Sequence, residues 1–231
     1  MQQIALDIGL AAGPTLANFW PGPNAAALEH LQLWTGAGAG EASRAPVPAY
    51  LWGEAASGKT HLLQAARQAL RDQGATVGWL DAASGETEYD ESWTAVLLDE
   101  VHLYDAGQQH TAFNWFVNAL TPKDGRARWV LAAGAVPPAD LRLREDLRTR
   151  LGWGHVFQLQ PLGETERRAV LRQAADARGV VLGDDVVDFM LSRFSRDLGS
   201  LMQLLDSLDG YALRTQRAVT IPLLKAMLAS Q

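Results

Sequence analysis

Residues 53–60 read Gly-Glu-Ala-Ala-Ser-Gly-Lys-Thr, the spacing G-x-x-x-x-G-K-T, and constrain the fold more than any other stretch of the chain. Such a loop needs a strand to deliver it and a helix to leave it, because its two glycines let the backbone curl until successive amide N–H groups face one anion. Both flanks are present: the apolar run Tyr50–Trp52 comes before it, and residues 59–71 carry apolar side chains at helical spacing. In a loop of this kind Lys59 pairs with the β and γ phosphates and the Thr60 hydroxyl coordinates Mg²⁺. Gly53, Gly58, Lys59 and Thr60 are therefore candidate binders of ADP or ATP with Mg²⁺. A chance glycine-rich turn is the plainer alternative, and the flanking strand and helix argue against it.

The pattern around the loop predicts an α/β fold. Short apolar runs at 50–52, 76–80, 95–98, 129–132 and 156–159 have the length of strands, with helical spacing between them near 24–33 and over 59–71, 106–120 and 139–150. Strands separated by helices predict a parallel sheet covered on both faces. Gly36 to Pro48, small and Pro-punctuated, is expected to be a loop. From Pro161 the strand signals stop, and four segments with helical apolar stripes follow. The expected organisation is a short N-terminal segment over 1–12, an α/β domain over 13–160 and an all-helical unit over 161–231.

Composition narrows the function classes. The chain has 231 residues, 48% hydrophobic and 20% charged, which fits an ordinary globular protein rather than a disordered or fibrous one. No apolar stretch approaches the roughly 18 residues that a membrane-spanning helix needs. The first residues lack an early Lys or Arg and carry Asp7, unlike a secretory signal. The absence of cysteine removes disulfides, zinc-thiolate sites and cysteine nucleophiles, and with the rest points to a cytoplasmic protein. A net charge of −6 is the wrong sign for coating a duplex. Most positive charge is arginine, suited to bidentate contact with phosphate.

A second candidate is the run Ala95 to Leu98 followed by Asp99 and Glu100. An apolar strand ending in acids is common by itself. Downstream of a phosphate loop it matches the Walker B pattern, in which Asp99 holds Mg²⁺ through water or Thr60 and Glu100 orients or deprotonates an attacking water.

With the helical appendage, the two motifs resemble P-loop ATPases of the AAA+ type. A more specific likeness lies in Thr15-Leu16-Ala17-Asn18-Phe19 with Gly22-Pro23-Asn24, in GEAASGKTHLLQA, in EDLRTRLGWG, and in FSRDLGSLMQLLD with TIPLLKAML. These stretches resemble the AAA+ portion of the bacterial replication initiator DnaA and, more closely, the shorter Hda-type regulators related to it. The likeness runs over nearly the whole chain, and RTRLGWG is its most specific part.

The resemblance implies roles for particular residues. Arg150 falls at the arginine-finger position, acting on a neighbour's nucleotide; alone it reads as a helix-end arginine. Arg196 falls at the sensor 2 position of the lid, or is simply a solvated arginine beside Asp197. Where the family has a polar sensor 1 residue this chain has Ala135, which removes a water-positioning contact and puts hydrolysis of its own nucleotide in doubt. Gln3, Ile4 and Leu6 resemble the short peptide that docks on the DNA sliding clamp; without the rest of the likeness they would read as a terminal strand or a frayed end.

The implied function is negative regulation of replication initiation. The chain would bind adenine nucleotide and the clamp, and stimulate hydrolysis of DnaA-bound ATP through Arg150, so that its contact with DNA is indirect. Self-association through the same arginine is also implied. The alternatives are an ATP-hydrolysing helicase loader or another DnaA-like ATPase, and an adaptor that catalyses nothing. With Gln231 following its helices, the chain is expected to lack DnaA's DNA-binding domain, which argues against the initiator itself. The eight tryptophans are scattered and expected to pack in cores and interfaces, the five histidines show no metal-ligand spacing, and Ser84 to Glu91 is expected to be a solvated acidic loop.

Overall fold

The structure is a computed structural model and describes residues 13–36, 47–126, 128–194 and 198–230. The chain divides into two compact units, Pro14–Pro161 and the residues from Leu162 onward.

In the first unit, a 3₁₀ turn at Gly22–Asn24 runs into α1 (Ala25–Trp34). Then come β1 (Ala49–Trp52), α2 (Lys59–Asp72), β2 (Val77–Leu80), β3 (Ala95–Leu98), α3 (Ala106–Leu120), β4 (Trp129–Gly134), α4 (Glu145–Leu151) and β5 (His155–Gln158). The strands form one parallel sheet in the order β2-β3-β4-β1-β5. A period of two along each strand sends alternate side chains to opposite faces. Ala49, Leu51, Ala95, Leu97, Leu131 and Ala133 join Leu31, Leu62 and Leu63 of α1 and α2 in one core. Tyr50, Val96, Leu98, Val130 and Ala132 join Trp115, Phe116 and Leu147 of α3 and α4 in the other. Central strands buried on both sides explain why their sequences are continuously apolar.

One expected element is corrected. The helix read over 139–150 is broken into a 3₁₀ turn at Pro138–Asp140, an extended stretch and a helix that begins only at Glu145. Pro137 and Pro138 fix the turn, and Leu141 and Leu143 are both buried, an alternation that an extended chain satisfies and a helix does not. The last strand lies one residue earlier than read, at a sheet edge with Val156 40% exposed, while Leu159 is buried after it.

The second unit holds α5 (Glu164–Ala177), α6 (Asp184–Arg193), α7 (Leu198–Thr215) and α8 (Ile221–Ala229). Leu171, Met190, Leu205, Leu208 and Leu224 sit at the centre of its own core. Ion pairs Arg168–Asp188 at 2.5 Å and Arg178–Asp206 at 2.7 Å tie neighbouring helices at the surface. None of the described helices is long and apolar enough to cross a membrane.

Candidate functional site

The loop between β1 and α2 owes its course to two glycines. A Cβ on Gly53 would stand 2.1 Å from the Leu159 carbonyl oxygen, so the chain can leave β1 beside the end of β5 only as glycine. Gly58 has φ 93° and a Cβ there would fall 2.7 Å from the Phe19 ring. Ala56 between them is also left-handed, at φ 61°, a conformation that costs a residue with a Cβ about 1–2 kcal/mol. Such strain is tolerated where a backbone has to aim its amides. The loop then becomes the first turn of α2, whose free N–H groups and dipole favour an anion.

Lys59 lies within this loop. Its Nζ donates to the Gly53 carbonyl at 2.8 Å, the Glu54 carbonyl at 2.7 Å and Ser57 Oγ at 3.3 Å. Burial lowers its pKa below the usual lysine value, and the nearby Asp99 and Glu100 charges oppose that shift. The ammonium is thus held by neutral oxygens, with two carboxylates acting on it through space.

The end of β3 supplies those carboxylates. Asp99 is 2% exposed, accepts the Thr60 hydroxyl and accepts the Glu100 N–H at 2.9 Å. Burial raises its pKa, while these two bonds and Lys59 pull the other way. A desolvated carboxylate touching a threonine hydroxyl at a phosphate loop fits Mg²⁺, which typically takes one or two protein oxygens and completes its shell with phosphates and water. Glu100, by contrast, is exposed and left-handed at φ 53°, heading the 3₁₀ turn Val101–Leu103. Tyr104 anchors the far side of that turn through its hydroxyl, which donates to the Leu80 carbonyl at 2.8 Å.

Between β1 and β3 lies β4, with Trp52 level with Gly134 and Leu98 level with Ala132. Ala135 therefore leaves the sheet next to Gly53, with no polar side chain to offer. The Tyr50 hydroxyl donates to the following Val136 carbonyl at 2.9 Å and fixes the chain there. Three neighbours escaped the sequence reading. His102, half-buried, feels the charges of Glu100, Lys59 and Asp99, and burial lowers its pKa. Phe19 packs over Gly58 and 5.5 Å from the His61 ring. Only an aromatic inside the quoted Thr15–Phe19 stretch hinted at this.

Arg150 lies apart from the phosphate loop, in the last turn of α4. It is half-exposed and lines an open concavity of about 1050 Å³ with Arg144, Asp146, Thr149 and Trp153. Trp153 is 69% exposed, unlike the other tryptophans, and so takes no part in the core. No carboxylate pairs with Arg150 among the described residues. Arg196 and the N-terminal residues Gln3, Ile4 and Leu6 lie outside the described residues.

The fold of the chain is similar to domain III of the replication initiation protein DnaA from Thermotoga maritima, with TM-score 0.70 and 21% identity over 94% of this chain and 95% of that one. It is also similar to AMPPCP-bound DnaA from Aquifex aeolicus, with TM-score 0.64 and 20% identity over 83% of this chain and 64% of that one. A third likeness is to a mutant form of RuvB from Thermotoga maritima, at TM-score 0.63 and 16% identity over 94% of this chain and 72% of that one. A five-stranded parallel sheet with its phosphate loop, followed in the chain by a helical unit, makes this a P-loop protein of the AAA+ fold. Residues 164–228, which hold the four helices of the second unit, match the family model of the Hda lid domain.

Proposed function

We propose that this chain is a DnaA-related regulator of the Hda type, which restrains replication initiation by completing a catalytic centre on another molecule. Docked on the DNA-loaded sliding clamp through Gln3, Ile4 and Leu6, it presents Arg150 to ATP bound by DnaA. The guanidinium spreads positive charge over the transferring phosphoryl group, an effect worth about 10³–10⁵ in rate where such fingers operate. DnaA is left in its ADP form, and contact with DNA runs through the clamp. The observation that carries this reading is Arg150 itself, half-exposed at an open concavity and without a carboxylate partner among the described residues.

The chain's own nucleotide, ADP or ATP, sits on Gly53, Gly58, Lys59 and Thr60, with Arg196 as its sensor. Thr60 and Asp99 hold Mg²⁺, which neutralises phosphate charge when bound. Ala135 offers no group to position water beside Glu100, so this nucleotide acts as a conformational ligand. The setting is the cytoplasm, and copies of the chain can meet through the Arg150 surface.

The test mixes this protein with DNA-loaded clamp and ATP-bound DnaA and follows hydrolysis. Arg150→Ala is expected to return the rate to that of DnaA alone with clamp binding intact; an unchanged rate overturns the assignment. Gln3→Ala with Leu6→Ala is expected to weaken clamp association without altering nucleotide affinity. A helicase-loader or other DnaA-like ATPase role is supported instead if the isolated chain turns over ATP and Glu100→Gln abolishes it.

A further inference from the structure

Phe113, half-buried on α3, lies against two guanidinium groups. The Arg144 guanidinium carbon is 5.1 Å from the centre of its ring and that of Arg150 is 5.2 Å away. The two arginines are otherwise unlike. Arg144 is tied on several sides: two of its nitrogens reach Asp146 at 2.9 and 2.6 Å, its backbone N–H donates to Gln109 Oε1 at 3.0 Å, and Nη1 approaches His110 Nδ1 at 3.4 Å. For Arg150 the ring is the partner in evidence.

An aromatic face restrains a cation differently from a carboxylate. It attracts the guanidinium through its quadrupole but carries no net charge and takes up none of the N–H donors. Asp146 lies on the same short helix and lines the same concavity as Arg150, and a carboxylate free to pair there would cancel the charge a phosphate must meet. Arg144 occupies both Asp146 oxygens.

We propose that Phe113 is the positioning residue for Arg150, and that Arg144 guards the arrangement by holding Asp146 away. The ring keeps the guanidinium in one place with its charge uncancelled and its in-plane donors free for a phosphate from another subunit. This rests on the reading of Arg150 as an arginine finger. Preorganisation of this kind acts on the chemical step, since a group held in place need not be ordered during the reaction.

The test uses the full chain with DNA-loaded clamp and ATP-bound DnaA, titrated to saturation. Phe113→Leu is expected to lower the saturating rate by about tenfold or more, with the half-saturating concentration within about twofold of wild type, and Phe113→Trp to restore the rate. Arg144→Ala, which leaves the core alone, is expected to lower the rate by freeing Asp146, and adding Asp146→Asn to recover it. Proton NMR reads the contact without any partner: the Arg150 side-chain signals are expected to be shifted by the ring current in wild type and to move to random-coil positions in Phe113→Leu. If Arg150→Ala abolishes stimulation while Phe113→Leu leaves the saturating rate unchanged, the positioning role is wrong. If Arg150→Ala itself changes nothing, the finger reading falls instead, and the role of Phe113 falls with it.

Discussion

A left-handed alanine in a loop otherwise turned by glycine is uncommon. At Ala56 the strain can be relieved by one change: Ala56→Gly is expected to gain about 0.5–1 kcal/mol net, less than the full strain because glycine also enlarges the unfolded ensemble. Urea denaturation at constant m would show it. Asp99 is strained electrostatically instead. Its folded pKa is raised by burial, so its protonated form is the one folding favours, and that contribution is lost as pH rises through the raised value. Asp99→Asn is therefore expected to be more stable than wild type at neutral pH, with the gap closing toward pH 4 and Mg²⁺-dependent nucleotide binding weakened. Denaturation midpoints across pH would check the sign. The positions of Lys59, Thr60 and Asp99 were legible because the motif is local and each strand end is marked by a change of polarity. The left-handed turn at Glu100 was not, since it depends on Tyr104 reaching back to Leu80 across the sheet.

At the level of elements, local periodicity carried the strands and most helices, and it failed where a short segment is shaped by packing at long range. The stretch after Pro137 contains leucines whose spacing suits a helix, yet the chain stays extended to bury Leu141 and Leu143 before α4 begins. Nor does the sequence reveal what Gln108 does. It closes the capping box of α3 with Asp105, and its Nε2 also donates to the carbonyls of Asp81, Ala82 and Ser84. The segment after β2 is thereby held by a helix more than twenty residues away. Gln108→Ala is expected to cost about 1–3 kcal/mol by removing the buried amide that the carbonyls of half-buried Asp81, Ala82 and Ser84 share, and to speed amide hydrogen exchange around 81–84 first.

For the whole molecule, acid weakens the fold in two windows. His61 and His102 have pKa values lowered by burial, so the unfolded chain binds protons more readily, and stability present above about pH 6.5 declines as pH falls through that range. His61→Phe is expected to flatten this first decline in a thermal-melt series. Asp81, held below its usual range by bonds from Trp79 and Ser84, contributes to a second loss near pH 4 and below. Bound nucleotide should add about 2.7 kcal/mol at a hundredfold excess over Kd, an increment Lys59→Ala removes. Finally, the ring under Arg150 sets which step in an encounter feels added electrolyte. A neutral aromatic hold is screened little, whereas attraction between this concavity and an approaching polyphosphate extends over a Debye length of about 10 Å at 0.1 M. Raising ionic strength should therefore demand more protein for half-maximal stimulation and leave the plateau standing.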